Sequence, residues 1–230
     1  MLTCALLYNY DCKEGVSVVR ACLFDLDGVI VDTAKYHYLA WKRLANELGF
    51  EFTEEDNERL KGVSRMKSLE ILLEIGGVSF DEETKEAMAA RKNAWYVEYI
   101  SKMDSSEVLP GVIDFLTSLR EEGIKISLGS VSKNAMIILK NTGVDKYFDA
   151  VIDGTKITHA KPDPEVFLKG AEELGVNPKD CVVFEDAQAG IEAAINAGMR
   201  SVGVGSPEIL RKADFVISSF KEMSVDRLKF

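Results

Sequence analysis

Val18-Val19-Arg20-Ala21-Cys22-Leu23-Phe24-Asp25-Leu26-Asp27-Gly28 decides how the rest of the 230-residue chain is read. A short apolar run closed at once by two carboxylates and a glycine predicts a buried strand over Val18–Phe24, ending in an acidic loop. Beyond it the rhythm turns helical. From Thr33 to Leu48, Tyr36, Leu39, Ala40, Leu44 and Leu48 recur at three and four, and Gly49 stops the pattern. Helical character continues over Glu54–Leu60, Ser64–Ile75 and Asp81–Lys102, with no strand between.

Leu109-Pro110-Gly111 then changes the pattern again. Helices are predicted at Val112–Glu122, Ser132–Asn141, Pro164–Leu174 and Ala187–Ala197. Strands fall between and after them at Ile124–Leu128, Ala150–Ile152, Cys181–Phe184, Ser201–Val204 and Phe215–Ile217. Short apolar strands alternating with amphipathic helices define an α/β class, a doubly wound parallel sheet covered on both faces. Residues 33–107 read as a helical block inserted into a Rossmann-like core of residues 18–32 and 108–230. Residues 1–17 read as an extension, with translation expected to start nearer Val16 or Val18.

Hydrophobic residues at 47% and charged ones at 29% describe a folding globule rather than a disordered chain. A chain of this length buries roughly 70–75% of its unfolded surface, so it needs no disulfide to fold. The formal charge of −10 disfavours a nucleic-acid partner bound by bulk electrostatics. No apolar run approaches the ~20 residues of a membrane span, so no membrane partner is expected. Met1–Val18 lacks a basic start and an adequate apolar stretch, unlike a secretory signal. Of the four cysteines, Cys4 and Cys12 precede the core, and Cys22 and Cys181 sit within strand-like runs as buried thiols. A reducing, cytoplasmic location is the expectation, and nothing demands more than a monomer.

Ligands of open α/β sheets bind beyond the carboxyl ends of the strands. Four such ends carry polar groups here: Asp25 and Asp27; Ser130 with Ser132-Lys133-Asn134; Lys161-Pro162; and Glu185-Asp186. An Asp-x-Asp-Gly alone is equally well a turn. Together, however, the carboxylates would repel unless a hard cation such as Mg²⁺ sat among them. Adding Lys161 makes a cradle for a dianionic phosphoryl group, with Asp25 or Asp27 placed to attack it.

Asp25-Leu26-Asp27-Gly28-Val29 with Asp32-Thr33, then Ser130, Lys161-Pro162 and Glu185-Asp186, resembles the four ordered motifs of the haloacid dehalogenase superfamily. The helical block resembles the small cap domain of one of its branches. Within that branch Tyr36-His37-Tyr38-Leu39-Ala40-Trp41-Lys42, Leu60-Lys61-Gly62-Val63-Ser64-Arg65 and Arg91-Lys92-Asn93 are similar to enzymes that move phosphoryl groups between positions of a hexose. The resemblance implies interconversion of beta-glucose 1-phosphate and glucose 6-phosphate, with Mg²⁺ as cofactor, glucose 1,6-bisphosphate as activator and a small phosphorylated sugar as partner.

It also implies roles. Asp25 is the expected nucleophile, and Asp27 the general acid and base. Asp25, the Asp27 carbonyl, Glu185 and Asp186 hold the metal, while Ser130 and Lys161 hold the transferring phosphoryl oxygens. Arg65, Ser132, Lys133 and Asn134 grip the phosphate that stays, a role suited to the planar fork of arginine and to a helix start at Lys133-Asn134. Lys61, Gly62, Val63, Ser68 and Lys92 line the cap side, Thr33 lies in the hinge, and His37 and Trp41 follow on the cap helix. A sugar-phosphate or phosphoglycolate-type phosphatase is the alternative on the same scaffold; a silent phosphate-binding module would lack Asp25 or Asp27.

Other residues read more plainly. His37 suits packing as well as function, Trp41 suits the core, and His159 a solvated loop. Asp163-Pro164-Glu165 reads as an N-cap with proline at the first helical position. Asp81-Glu82-Glu83 is the solvated start of a helix. Met66 and Met88 are expected to pack within the cap. Val131 departs from the family by standing where a smaller residue is expected, narrowing the pocket.

Overall fold

The central strand β1 (Ala21–Phe24) splits its side chains between two cores, because successive residues of a strand point to opposite faces. Cys22 and Phe24 enter one apolar cluster and Ala21 and Leu23 the other, all wholly buried. The computed structural model describes residues 18–60 and 63–229. Cys4, Cys12 and the extension read at 1–17 therefore lie outside the described residues.

Next come α1 (Ala34–Leu48), α2 (Glu54–Glu58), α3 (Arg65–Gly76) and α4 (Glu82–Ile100), with no strand among them. They share a separate apolar cluster that includes Trp41, Leu44, Phe52, Leu69 and Leu72. Gly49 closes α1 in the left-handed conformation, and the Asp81 carboxylate caps α4 by accepting the Thr84 N–H. Chain exit and return are stitched together: Val31 bridges Val108, and the Leu109 N–H donates to the Ile30 carbonyl at 2.9 Å. Lys35 and Tyr36 at the start of α1 both bond the Glu107 carboxylate beside this stitch.

After the return, α5 (Val112–Glu121), β2 (Lys125–Gly129), α6 (Ala135–Thr142), β3 (Ala150–Ile152), α7 (Glu165–Leu174), β4 (Cys181–Glu185), α8 (Gln188–Asn196), β5 (Arg200–Val204) and β6 (Phe215–Ile217) complete the chain. The six strands form one parallel sheet in the order β3-β2-β1-β4-β5-β6. The order reverses at β1, so its carboxyl end opens on a crevice. Phe24 stacks on Phe184 of β4 with ring centroids 4.7 Å apart, and Phe115 and Phe220 close around them.

Most element ends shift by a residue or two from the expectation, and three of the shifts bear on the site or the sheet. β1 begins at Ala21 because Val18 is 63% exposed and only Arg20 pairs before it. Helix α6 begins at Ala135, so Lys133 lies in the preceding turn and Asn134 is the N-cap. Helix α7 begins at Glu165 with Pro164 as N-cap, while Asp163 accepts the Glu165 N–H at 2.9 Å. Cys22 and Cys181 are buried free thiols, as read. No described helix is long and apolar enough to cross a membrane.

Candidate active site

Asp25 follows β1 directly, and its N–H donates to the Phe184 carbonyl at 3.0 Å. Strand pairing thus continues one residue past β1 and fixes the carboxylate at the top of the sheet. From the loop after β3, the Lys161 ammonium donates to Asp25 Oδ1 at 2.6 Å and to Glu185 Oε1 at 2.5 Å. Glu185 ends β4, and its other oxygen accepts the Ala187 N–H at 2.9 Å. Burial disfavours the Lys161 charge, but the two carboxylates outweigh it and hold its pKa above the ordinary value. Burial lifts Glu185 to about 7, with Lys161 opposing and Asp25 adding to the rise.

Carboxylate oxygens of Asp25, Glu185 and Asp186 lie within 4.8 Å of one another. The donors are all oxygen, and three carboxylates exceed the one lysine among them, which suits a small hard divalent cation. The loop is shaped for this approach: Gly28 has φ +81°, and a Cβ there would run into the Asp186 carboxylate. The Asp27 carboxylate turns away from that cluster and accepts the hydroxyl of the wholly buried Thr33. It also lines the cavity. Burial first, and the Asp25 charge next, raise its pKa to about 6, against the Thr33 hydrogen bond.

A cavity of about 610 Å³ lies between the carboxyl ends of the strands and the helical layer. Asp25, Asp27, Asp186, Ser132, Lys133 and Asn134 line it from the core. Thr33, His37, Trp41, Val63, Arg65, Ser68 and Lys92 line it from the helices. Ser130, Lys161 and Glu185 sit beneath its floor instead. Ser130 is wholly buried, and its hydroxyl accepts the Ser132 N–H at 3.1 Å. Lys61 and Gly62 lie outside the described residues. Trp41 serves both packing and lining, and His159 is exposed at the mouth. Met88 packs within the helical layer as expected. Met66, expected only to pack, also lines the cavity, because it sits on the first turn of α3 where that helix faces the opening. Val131 is part of the wall.

Arg65, Lys92 and Lys133 all line this cavity, and none forms an ion pair among the described residues. In a chain of net charge −10, three basic side chains without a direct ion pair, gathered on the wall of the cavity that also holds Asp25, Asp27 and Asp186, suit a ligand carrying phosphate. Lys92 lies 3.1 Å from His37 Nδ1 and 4.4 Å from the centre of the Trp41 ring. Burial and Arg65 lower its pKa to about 7. Burial, with the charges of Lys92 and Arg65, holds His37 well below its usual range, so its ring is neutral. The side chain of Asn134 caps nothing on α6, which leaves the start of that helix without a side-chain acceptor, as suits an anion nearby.

Sequence reasoning missed Tyr96, Asn93 and Asn57 as lining residues. Tyr96 is wholly enclosed, its hydroxyl has no hydrogen-bond partner among the described residues, and its ring centre is 4.1 Å from that of His37. The one available signal was spacing, since Tyr96 stands four residues after Lys92 and shares its helix face.

A family model of haloacid dehalogenase-like hydrolase matches residues 19–198, and the chain belongs to that family. It is an enzyme with the family's α/β core. Among particular proteins, the chain is 43% identical to the beta-phosphoglucomutase of Bacillus subtilis over 212 residues, covering 91% of this chain and 94% of that one. A crystal structure of beta-phosphoglucomutase from Clostridium difficile superposes with a TM-score of 0.88 at 45% identity, covering 92% of this chain and 96% of that one. The phosphorylated carbohydrates phosphatase of Thermotoga maritima is 34% identical over 189 residues, covering 80% of this chain and 84% of that one.

Proposed function

We propose that the enzyme interconverts beta-glucose 1-phosphate and glucose 6-phosphate through a phosphoryl group carried on Asp25. The observation that carries this reading is that one cavity joins Asp25 and Asp27 to Arg65, Ser132, Lys133 and Asn134. A mutase must hold a sugar with phosphate at either end, and this cavity offers an anion grip besides the one at Asp25. Arg65 suits the second grip because its fork can bond two phosphate oxygens at once.

In the proposed chemistry, an Asp25 oxygen forms a bond to phosphorus as the bond from phosphorus to the departing oxygen breaks. Asp27 gives that oxygen its proton. In the reverse direction Asp27 takes the proton from the sugar hydroxyl as it attacks the aspartyl-phosphate, and Asp25 leaves as carboxylate. A pKa near 6 suits both tasks at neutral pH. Glucose 1,6-bisphosphate recharges Asp25 when it loses its phosphoryl group. Lys161, donating to Asp25 from below, and Ser130 orient the receiving end.

Asp25, the Asp27 carbonyl, Glu185 and Asp186 would hold Mg²⁺. The oxygen-only donors and the glycine that admits Asp186 fit it. When bound, the cation supplies charge neutralisation at the phosphoryl oxygens. Lys61, Gly62, Val63, Ser68 and Lys92 would face the sugar from the cap, with Thr33 at the hinge and His37 and Trp41 beside it. Residues 33–107 act as the cap that keeps water out.

Phosphorus NMR on beta-glucose 1-phosphate, with Mg²⁺ and a trace of glucose 1,6-bisphosphate, tests the reading. Glucose 6-phosphate without inorganic phosphate is the expected outcome. Inorganic phosphate at a comparable rate would favour a phosphatase, the activity named for the Thermotoga maritima relative.

A further inference from the structure

Asn134 stands at the N-cap of α6, where an asparagine side chain normally accepts a backbone N–H of the first turn. Here it does not. Its Nδ2 instead donates from the core to Asn93 Oδ1 on α4, at 2.9 Å. Both residues line the cavity. A helix that leaves its N-cap unused forgoes local stabilisation, so the contact between core and helical layer takes the place of a local one.

A second bond runs beside it. Asn141 Nδ2, at the far end of α6, donates to the Ile100 carbonyl at the end of α4, at 3.0 Å. In each helix the two contact points are seven residues apart, which is two turns or roughly 10 Å. The two contacts therefore differ in leverage. Ile100 lies where the helical layer returns to the stitch at Val31 and Val108, so its bond lies near the pivot. Asn93 is two turns farther along α4 from that return and lines the cavity, so parting the helical layer from the core at the cavity breaks its bond.

We propose that the Asn93–Asn134 hydrogen bond is the latch of the cap, and that Asn93 is a positioning residue which sets how often water reaches the phosphorylated Asp25. The inference rests on the mutase reading above and adds a residue to which no role is assigned there. The reaction the latch limits is simple hydrolysis. A water oxygen bonds to phosphorus, the bond to the Asp25 oxygen breaks, and inorganic phosphate leaves as the water proton passes to solvent. Water reaches phosphorus only when this contact is apart. Asn93 contributes the acceptor, so removing its carbonyl opens the latch, whereas aspartate keeps an acceptor in the same place.

Three proteins test this: the full wild-type chain, Asn93→Ala and Asn93→Asp, with thermal melting to confirm that all are folded. Small-angle scattering without substrate reads the latch alone. The radius of gyration should rise in Asn93→Ala and stay at the wild-type value in Asn93→Asp. With beta-glucose 1-phosphate, Mg²⁺ and glucose 1,6-bisphosphate, the ratio of inorganic phosphate to glucose 6-phosphate should rise about three- to tenfold in Asn93→Ala, as loss of one hydrogen bond implies. Asn93→Asp should keep the low ratio even if added negative charge raises KM. The latch is overturned if Asn93→Ala leaves the radius unchanged, or if the alanine and aspartate variants raise the ratio equally. Failure of the mutase reading shows separately, as a wild-type protein that makes no glucose 6-phosphate.

Discussion

The two aspartates of the β1 loop differ in what surrounds them. Asp25 meets an ammonium; Asp27 meets a hydroxyl and the enclosed cavity. That difference assigns the proton to Asp27. Asp27→Asn should lower kcat by about 10²- to 10⁴-fold, the usual worth of a general acid–base. Asp25 should still take a phosphoryl group from acetyl phosphate, whose leaving group needs no proton, and intact mass would reveal it. Lys92 makes a different prediction. Its pKa is about 7 in the fold against 10.5 in a solvated chain, so between those values the unfolded chain holds the extra proton. Stability should therefore rise with pH across that window, by up to ~1.4 kcal/mol per pH unit, and level off below it. Lys92→Met should flatten the slope, as read by chemical denaturation at pH 7 to 10.

Among the elements, the loops at the strand ends were legible in the sequence because most of their candidate residues follow a strand within a few positions, Lys161 being the exception at nine residues after β3. Periodicity locates the strand, and the polar group follows it. Burial beneath the cavity floor, as for Ser130 and Lys161, was not legible, since it depends on neighbouring strands. Nor were Asn93 and Tyr96, which belong to a 19-residue helix whose pattern records packing and lining alike. The start of α6 was misread for a related reason. Ser132 and Asn134 are both N-cap formers, and the polypeptide uses only the second as its boundary. Gly28 tests the loop geometry directly. Alanine there must hold φ +81° and displace Asp186, so Gly28→Ala should cost about 1 kcal/mol in stability. It should also raise the Mg²⁺ concentration for half-maximal activity about tenfold, measured by metal titration.

At the scale of the whole molecule, two apolar cores line the sheet and a third fills the helical layer. Their main shared ligand would be the sugar phosphate between them. Glucose 1,6-bisphosphate at one hundred times its Kd should stabilise the fold by about 2.7 kcal/mol. Arg65→Ala, which removes the cap-side fork, should lose most of that gain at the same concentration, read as a smaller rise in Tm. The stitch at Val31 and Val108 has a further meaning. The chain leaves the sheet and comes back at one spot, so what lies between is a cassette whose ends already touch. Evolution, or a protein engineer, can exchange such a cassette without disturbing the sheet. Grafting a foreign helical segment between these two valines would keep the phosphoryl chemistry and choose a new acceptor for it.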